Sequence, residues 1–435
     1  MTMHPLLMGL LFCWLCATAV AAPARAAQLE ITSPGERAIP LAQTRFLPQE
    51  GPAAPAVAAE LDEALSADLD LAGIFRPIDP AAFLADAGKI GLFSTQVDFD
   101  QWRLLGAEVL IKGAYSVAGD QLTVEARLFD VPNRRLLTGR RFVGRSSDVR
   151  RIAHAFADLI LKELTGEVGP FDARIAFISA RSGHKELWLM DSDGRNPLRL
   201  TDHRSLVLNP DFSPTGKELL FTSYRAGNPD LYRKEIFTGS EARISSHTGL
   251  NIAGRYAPDQ SAVALTLSRD GDPELYLLGR DGSLRKRLTT SFGIDVDPSW
   301  SPDGRQLAFV SSRLGSPQIF ILDLAGGATR RLTANGKYDA TPAWSPKGDR
   351  IAFTRQEGGR FDIYTIRPDG SDERRLTFGP GGAEHPRWSP DGRFLVYSAE
   401  AGGKKSLYVM RADGTGARRL EAAGEASHPA WSPVW

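Results

Sequence analysis

The stretch HPRWSPDGR at 385–393 runs on into apolar and aromatic residues, and HPAWSPVW at 428–435 repeats its opening words. The shared phrase is P-x-aromatic-S-P. It recurs with Pro210, Pro298, Pro342, Pro386 and Pro429 in first position, and a degenerate copy, GRYAPD, starts at Gly254. Successive spacings are 44, 44, 44, 44 and 43 residues. Three further registers hold the same 44-residue interval. An apolar run centres on Phe177, Phe221, Leu265, Phe309, Phe353 and Tyr397. An aromatic stands at Trp188, Tyr232, Tyr276, Phe320, Tyr364 and Tyr408. Leu200, Ile244, Leu288, Leu332, Leu376 and Leu420 complete the unit. Chance does not hold four registers over six copies, so the sequence is a repeat array.

Within a unit the pieces read as strands. QLAFVSS (306–312) and QIFILDL (318–324) are short and rich in β-branched and aromatic residues. Asp-Gly pairs, as in SPDGR at 301–305, punctuate them and supply the positive φ that tight hairpins need. Four antiparallel strands, A to D, in about 44 residues make a β-propeller blade. The first B-C-D set (174–201) has no WSP strand before it, and the last WSP strand (429–435) has no B-C-D set after it. Joined, they complete one blade, so a six-bladed ring closed by the C-terminal strand is expected. Closure also removes the raw edges of an open array.

Residues 27–168 have a different texture. QLEIT and AIPLA suggest strands, and 55–69 has helical spacing. Residues 107–130 read as a hairpin turning at Gly119-Asp120, and 146–166 read as a helix with a serine cap, ending at Gly166. A small α/β domain with an antiparallel or mixed sheet is expected at 27–168. GEVGPFDAR (166–174) reads as a hinge, and the propeller occupies 169–435.

The chain has 435 residues, with 52 basic and 52 acidic side chains. Zero formal charge argues against a general electrostatic grip on nucleic acid or anionic membrane. The basic run RRLLTGRR at 134–141 reads as a solvated hairpin face. Residues 1–26 read as a signal peptide: an apolar run at 6–22, then ARA at 24–26, making Ala27 the expected first mature residue. No Lys or Arg precedes the apolar run, so an uncleaved anchor is the alternative reading. Cys13 and Cys16 both lie in this segment, which leaves a mature chain without disulfides, Cys-ligated zinc or a Cys nucleophile.

Catalytic signals are poor. There is no G-x-S-x-G elbow, no P-loop and no dinucleotide fingerprint. His154, His184, His203, His247, His385 and His428 show no ligand spacing, so neither metal nor cofactor is expected. His385 and His428 hold equivalent positions just before a WSP strand, near one ring opening. DSDGRN at 191–196 mimics the start of a calcium loop but lacks the downstream Glu and reads as a turn. Trp300, Trp344, Trp388 and Trp431 read as packing between blades.

Export signal, N-terminal α/β domain, PxWSPDG repeats and terminal HPAWSPVW, in this order, resemble the TolB family of the Tol–Pal system. The resemblance covers the whole chain. It implies a periplasmic binding protein, not an enzyme, that links the inner-membrane protein TolA with the peptidoglycan-associated lipoprotein Pal. It thereby implies a role in outer-membrane integrity and in constriction during cell division. In the family the mature N-terminus binds TolA as an added strand. The matching residues are Ala27, Gln28, Leu29, Glu30, Ile31, Thr32 and Ser33. The Pal site lies on loops entering the A strands, which implies Leu250, Asn251, Ala253, Val296 and Asp297 here. GLNIAGRYAPD departs from the family, which often has a His in this first loop. Two rivals remain. One is a hydrolase or lyase with Asp295, Asp297 and Asp339 converging in the channel. The other is a sugar- or peptidoglycan-binding propeller.

Overall fold

The computed structural model describes residues 38–420 and 425–434. The signal segment, QLEIT, the expected TolA strand Ala27–Ser33 and Trp435 lie outside the described residues. Among those described, no helix is long and apolar enough to cross a membrane.

The N-terminal part is a six-stranded mixed sheet. Its strands are β1 (Ile39–Gln43), β2 (Leu47–Glu50), β3 (Phe75–Pro77), β4 (Val109–Ala118), β5 (Gln121–Asp130) and β6 (Arg135–Arg145). Their order is β3-β1-β4-β5-β6, with β2 also on β4. β1 and β2 run parallel to β4, whereas β4-β5-β6 is an antiparallel meander. The hairpin turns at Gly119, φ 61°, as the sequence predicts. Helices α1 (Pro55–Ala72) and α3 (Val149–Thr165) cover one face, and the short α2 (Phe99–Leu104) sits near the other. α3 ends at Gly166 with φ 80°, the expected left-handed stop. Its start differs from expectation. The cap is Asp148, not a serine, and its carboxylate accepts the Arg145 amide at 2.8 Å.

Six four-stranded sheets follow, and their A strands pack around a common axis. Blade 1 joins Ala426–Trp431 to Arg174–Ser179, Glu186–Asp191 and Leu198–Arg199. Blade 2 starts at Val207–Phe212, blade 3 at Asn251–Tyr256, blade 4 at Asp295–Trp300, blade 5 at Asp339–Trp344 and blade 6 at Ala383–Trp388. The C-terminal strand therefore closes the ring, with Trp431 opposite Ile175. Ser432 fastens it by accepting the Arg174 amide on its hydroxyl at 2.9 Å. The tryptophans act between blades: Trp300 Nε1 donates to the Arg255 carbonyl and Trp388 Nε1 to the Ala343 carbonyl, each on the preceding blade.

The expected hinge is a packed strap. Phe171 and Ala173 are buried, and Asp158 of α3 accepts the amides of Phe171 and Asp172, each at 2.8 Å. Phe171 meets Phe394 of blade 6 at 5.8 Å between ring centres. One continuous apolar core thus runs from α1 and α3 through the strap into blades 6 and 1. Such a core resists bending.

Candidate functional site: the open mouth of the propeller

Each A strand carries the same irregularity. Its pairing with strand B slips across two residues, x-Pro in five blades and Ala253-Gly254 in blade 3, so the first bulges out and the second needs no ladder partner. The bulged residues are Asn209, Ala253, Asp297, Thr341, His385 and His428, with φ of 52°, 54°, 54°, 49°, 58° and 49°. A left-handed backbone is disfavoured outside Gly, and for a β-branched residue such as Thr341 it is a true outlier. The ring carries one such residue per blade. Two positions further along stand Asp211, Arg255, Ser299, Ala343, Arg387 and Ala430, which line a cavity of about 270 Å³ together with the WSP tryptophans and with Pro214, Pro302, Pro346 and Pro390 of the A–B turns, so this cavity opens toward the end where those turns lie.

The channel is polar and unevenly charged. Arg255 bonds the Pro210 carbonyl at 3.1 Å and lies 3.4 Å from Asp211. Arg387 donates to the carbonyl of its own neighbour, Pro386, at 2.8 Å. Burial and the facing Arg255 pull the Arg387 guanidinium down to about 9. Burial pushes the Asp297 carboxyl up against the pull of Arg255 and Arg387. The rings of His385 and His428 lie 3.9 Å apart across the seam between blade 6 and the closing strand. Burial lowers both, His428 to about 3 and His385 well below its ordinary value. Among the described residues no group of three or more His, Cys, Asp or Glu could hold a metal ion.

The two ends of the propeller differ. At one end the A–B and C–D turns meet the N-terminal domain. Glu167 bonds Lys347 and Arg393, Arg411 bonds the Asp70 and Leu71 carbonyls, and Arg418 bonds that of Ala67. DSDGRN is a turn at this end, and Asp193 within it takes both Nε and Nη2 of Arg150, at 2.8 and 2.6 Å. At the other end the D–A loops and B–C turns are laced together, as in Asn251 N to Pro229 O and Asp339 N to Pro317 O. This end carries exposed apolar side chains: Phe292 is 95 % exposed, Phe378 70 %, Leu314 61 % and Tyr338 38 %.

The residues expected at the Pal site fall on this open end but differ in reach. Leu250, Val296 and Asp297 are partly exposed. Asn251 is fully buried, its amide oxygen accepting from Ser245 and from the His247 amide. Ala253 has no exposed surface either. Both shape the loop from within. The exposed Phe292, Leu314 and Phe378 escaped the sequence reading. Their signal was an aromatic or leucine standing alone in a loop between turn residues. The left-handed ring also escaped. At four of the six places its signal was Asn, Asp or His directly before Pro, types that tolerate αL; Ala253 and Thr341 carry no such signal.

The three acids proposed for a hydrolase do not converge. Asp295 is held by Arg313 at 2.7 Å and Asp339 by Arg355 at 2.7 and 3.0 Å, so only Asp297 faces the channel as a candidate. A Ser–His–Glu line does occur: His203 Nδ1 lies 2.7 Å from Ser223 Oγ, and Nε2 lies 3.1 Å from Glu241. Ser223 has no accessible surface. Ser179 and Ser311 fasten the same corner of their own blades. The line holds a loop in place and offers no reachable nucleophile.

Comparison with known proteins agrees with this architecture. The family described as the TolB beta propeller domain matches residues 161–435, and the TolB amino-terminal domain matches 27–137. The Tol-Pal system protein TolB of Syntrophotalea carbinolica is 63 % identical over 209 residues, 48 % of each chain. That of Geobacter metallireducens is 49 % identical over 189 residues, 43 % of each. The chain thus spans about half the length of the curated relatives it matches. The crystal structure of TolB from Acinetobacter baumannii is 27 % identical with a TM-score of 0.79, covering 92 % of this chain and 97 % of that one.

Proposed function

The chain belongs to the TolB family, and on that premise we propose that it is a periplasmic scaffold of the Tol–Pal system, a binding protein rather than an enzyme. In this reading residues 1–26 are removed on export, and 27–168 and 169–435 are the two working domains. The open propeller mouth binds Pal, and the segment Ala27–Ser33 adds as a strand to TolA. Holding both partners supports outer-membrane integrity and constriction at division.

One observation carries the proposal: the two ends of the propeller are treated differently. One end carries, on blades 1, 5 and 6, the contacts to the N-terminal domain. Among the described residues the other end is left bare, with varied loops and exposed Phe292, Leu314 and Phe378 around a strained ring. Exposed apolar anchors on a fixed frame of loops are the usual makings of a protein-binding hot spot.

The test uses purified Pal and TolA. Phe292→Ser with Phe378→Ser should weaken Pal binding at least tenfold, ~1.4 kcal/mol or more. Asp303→Lys, at the covered end, should leave it unchanged. Removing residues 27–33 should abolish TolA binding and spare Pal. Equal Pal affinity in the loop and Asp303 variants would overturn the assignment of the mouth.

A further inference from the structure

The basic run at 134–141 lies on a solvated hairpin strand, as expected, and that strand is also an open sheet edge. β6 spans Arg135–Arg145, 11 residues, and among the described residues pairs only with β5. Among the described residues the other outer sheet edges are short, β2 having 4 residues, and the six A strands, edges too, face the channel and carry bulges. β3 has 3 residues and ends in Pro77. The outermost strands of the six blades have 2 to 5 residues. A strand of β6's length leaves a row of outward N–H and C=O groups for pairing at Arg141 and Val143, while the Arg145 amide at its end is already taken by the Asp148 carboxylate.

The side chains along this edge carry one sign of charge. Beyond a slip at Leu137, Arg141, Val143 and Arg145 share the face of the sheet directed away from α3, in register with Glu125, Thr123 and Gln121. On the opposite face Phe142 packs on Phe156 of α3 and is lost to any partner. Arg141 is 65 % exposed and lies 4.0 Å from Glu125, which holds Arg127 more closely, at 2.9 Å. Val143 is 59 % exposed. Charge–apolar–charge at alternate positions is a readable pattern. A second copy pairing antiparallel about Val143 would set Arg141 against Arg145, like against like. The edge therefore repels itself and favours a strand of opposite sign.

We propose that the free edge of β6 is a docking site for an acidic extended segment of a partner protein, added as a seventh strand, with Glu or Asp opposite Arg141 and Arg145 and an apolar residue opposite Val143. Main-chain bonds supply affinity and the alternating side chains supply selection. This edge lies on the N-terminal sheet and not on the propeller mouth, so it stands or falls independently of the Pal reading.

The test uses blocked, fluorescein-labelled heptapeptides and the full chain. TETVTET should bind, with affinity falling as salt rises, and should slow amide exchange across 138–145. TKTVTKT and TETPTET should bind at least tenfold more weakly, the first for its charge and the second for its lost donor. Arg141→Glu with Arg145→Glu should exchange the preference, binding TKTVTKT over TETVTET, which also shows that the sheet still folds. Absence of TETVTET binding, binding without protection of β6 amides, or an unchanged preference in the double variant would each overturn the proposal.

Discussion

The imidazole of His154 lies 2.6 Å from the carboxylate of Asp68, with side chains only 2 % and 1 % exposed. The contact joins α3 to α1 beneath the propeller. On its other side His154 Nε2 stands 3.3 Å from Asp193 of the blade 1 turn, a charge contact without hydrogen-bond alignment. Arg150 of α3 grips the same Asp193, while Glu60 and Glu63 of α1 approach Arg150. Arg418 from blade 6 bonds α1 at Ala67, and Asp158 and Asp172 complete the charged surroundings.

Burial works against the His154 charge, but Asp68 and Asp193 together hold it well above the ordinary histidine value. A raised folded value means stability that is complete below the unfolded value of 6.5 and is lost as pH climbs through the folded one. Melting temperature should therefore fall on the alkaline side. His154→Gln should cost about 3–5 kcal/mol at neutral pH by stranding Asp68 and should flatten that alkaline limb. Calorimetric melts from about pH 6 to about pH 10 decide it, and parallel curves for the two proteins would count against it.

The channel histidines carry the opposite sign. His385 and His428 are held below 6.5 in the folded chain, His428 near about 3. The unfolded chain binds their protons first, so stability should drain away as pH falls below the ordinary histidine value. His385→Asn with His428→Asn keeps side chains that accept positive φ and removes the titration. That variant should lose several degrees less in melting temperature than the parent between about pH 7 and about pH 5. An equal loss would place the acid sensitivity elsewhere.

Removing residues 426–435 should leave Arg174–Ser179 as a raw edge and uncover Phe394, on which Trp431 stacks at 6.4 Å. Trp431 alone contributes on the order of 2–3 kcal/mol by its burial. The truncated protein should aggregate or melt far earlier, seen by light scattering alongside circular dichroism. Wild-type behaviour would contradict the closed ring.

Arg355 is 1 % exposed and grips two carboxylates, Asp339 at 2.7 and 3.0 Å and Glu373 at 2.7 and 3.0 Å. Arg355→Leu should cost about 3–5 kcal/mol, because it leaves the buried Asp339 carboxylate without a partner. Replacing Asp339 and Glu373 together with Arg355 by apolar residues should recover much of that loss in chemical denaturation.

The propeller was legible because periodicity is a property of sequence alone. Four registers 44 residues apart name the blade, and the split repeat names the seam. What stayed hidden was set by contacts between distant segments. The strap at 166–174 looks like a hinge for its Gly and Pro, yet Phe171 and Asp158 pin it through packing that no local pattern announces. Loop 250–253 could be assigned to the open end, but only the fold shows that Asn251 and Ala253 point inward. RRLLTGRR gave its charge and its hairpin placing correctly; that the strand is also a sheet edge depends on which distant strands pair, and composition does not announce that.

The seam also sets a timetable. Ser432 and the Arg174 amide that it receives are 258 residues apart. At usual synthesis speeds of roughly 5–20 residues per second, blade 1 waits on the order of 10–50 s for its fourth strand. Whenever folding starts before that strand is in place, the molecule is an arc with two raw edges, exposed to self-association. The entropic cost of closing so long a loop grows only slowly with length. The vulnerability is thus one of time rather than of final stability, and it ends when the last strand arrives.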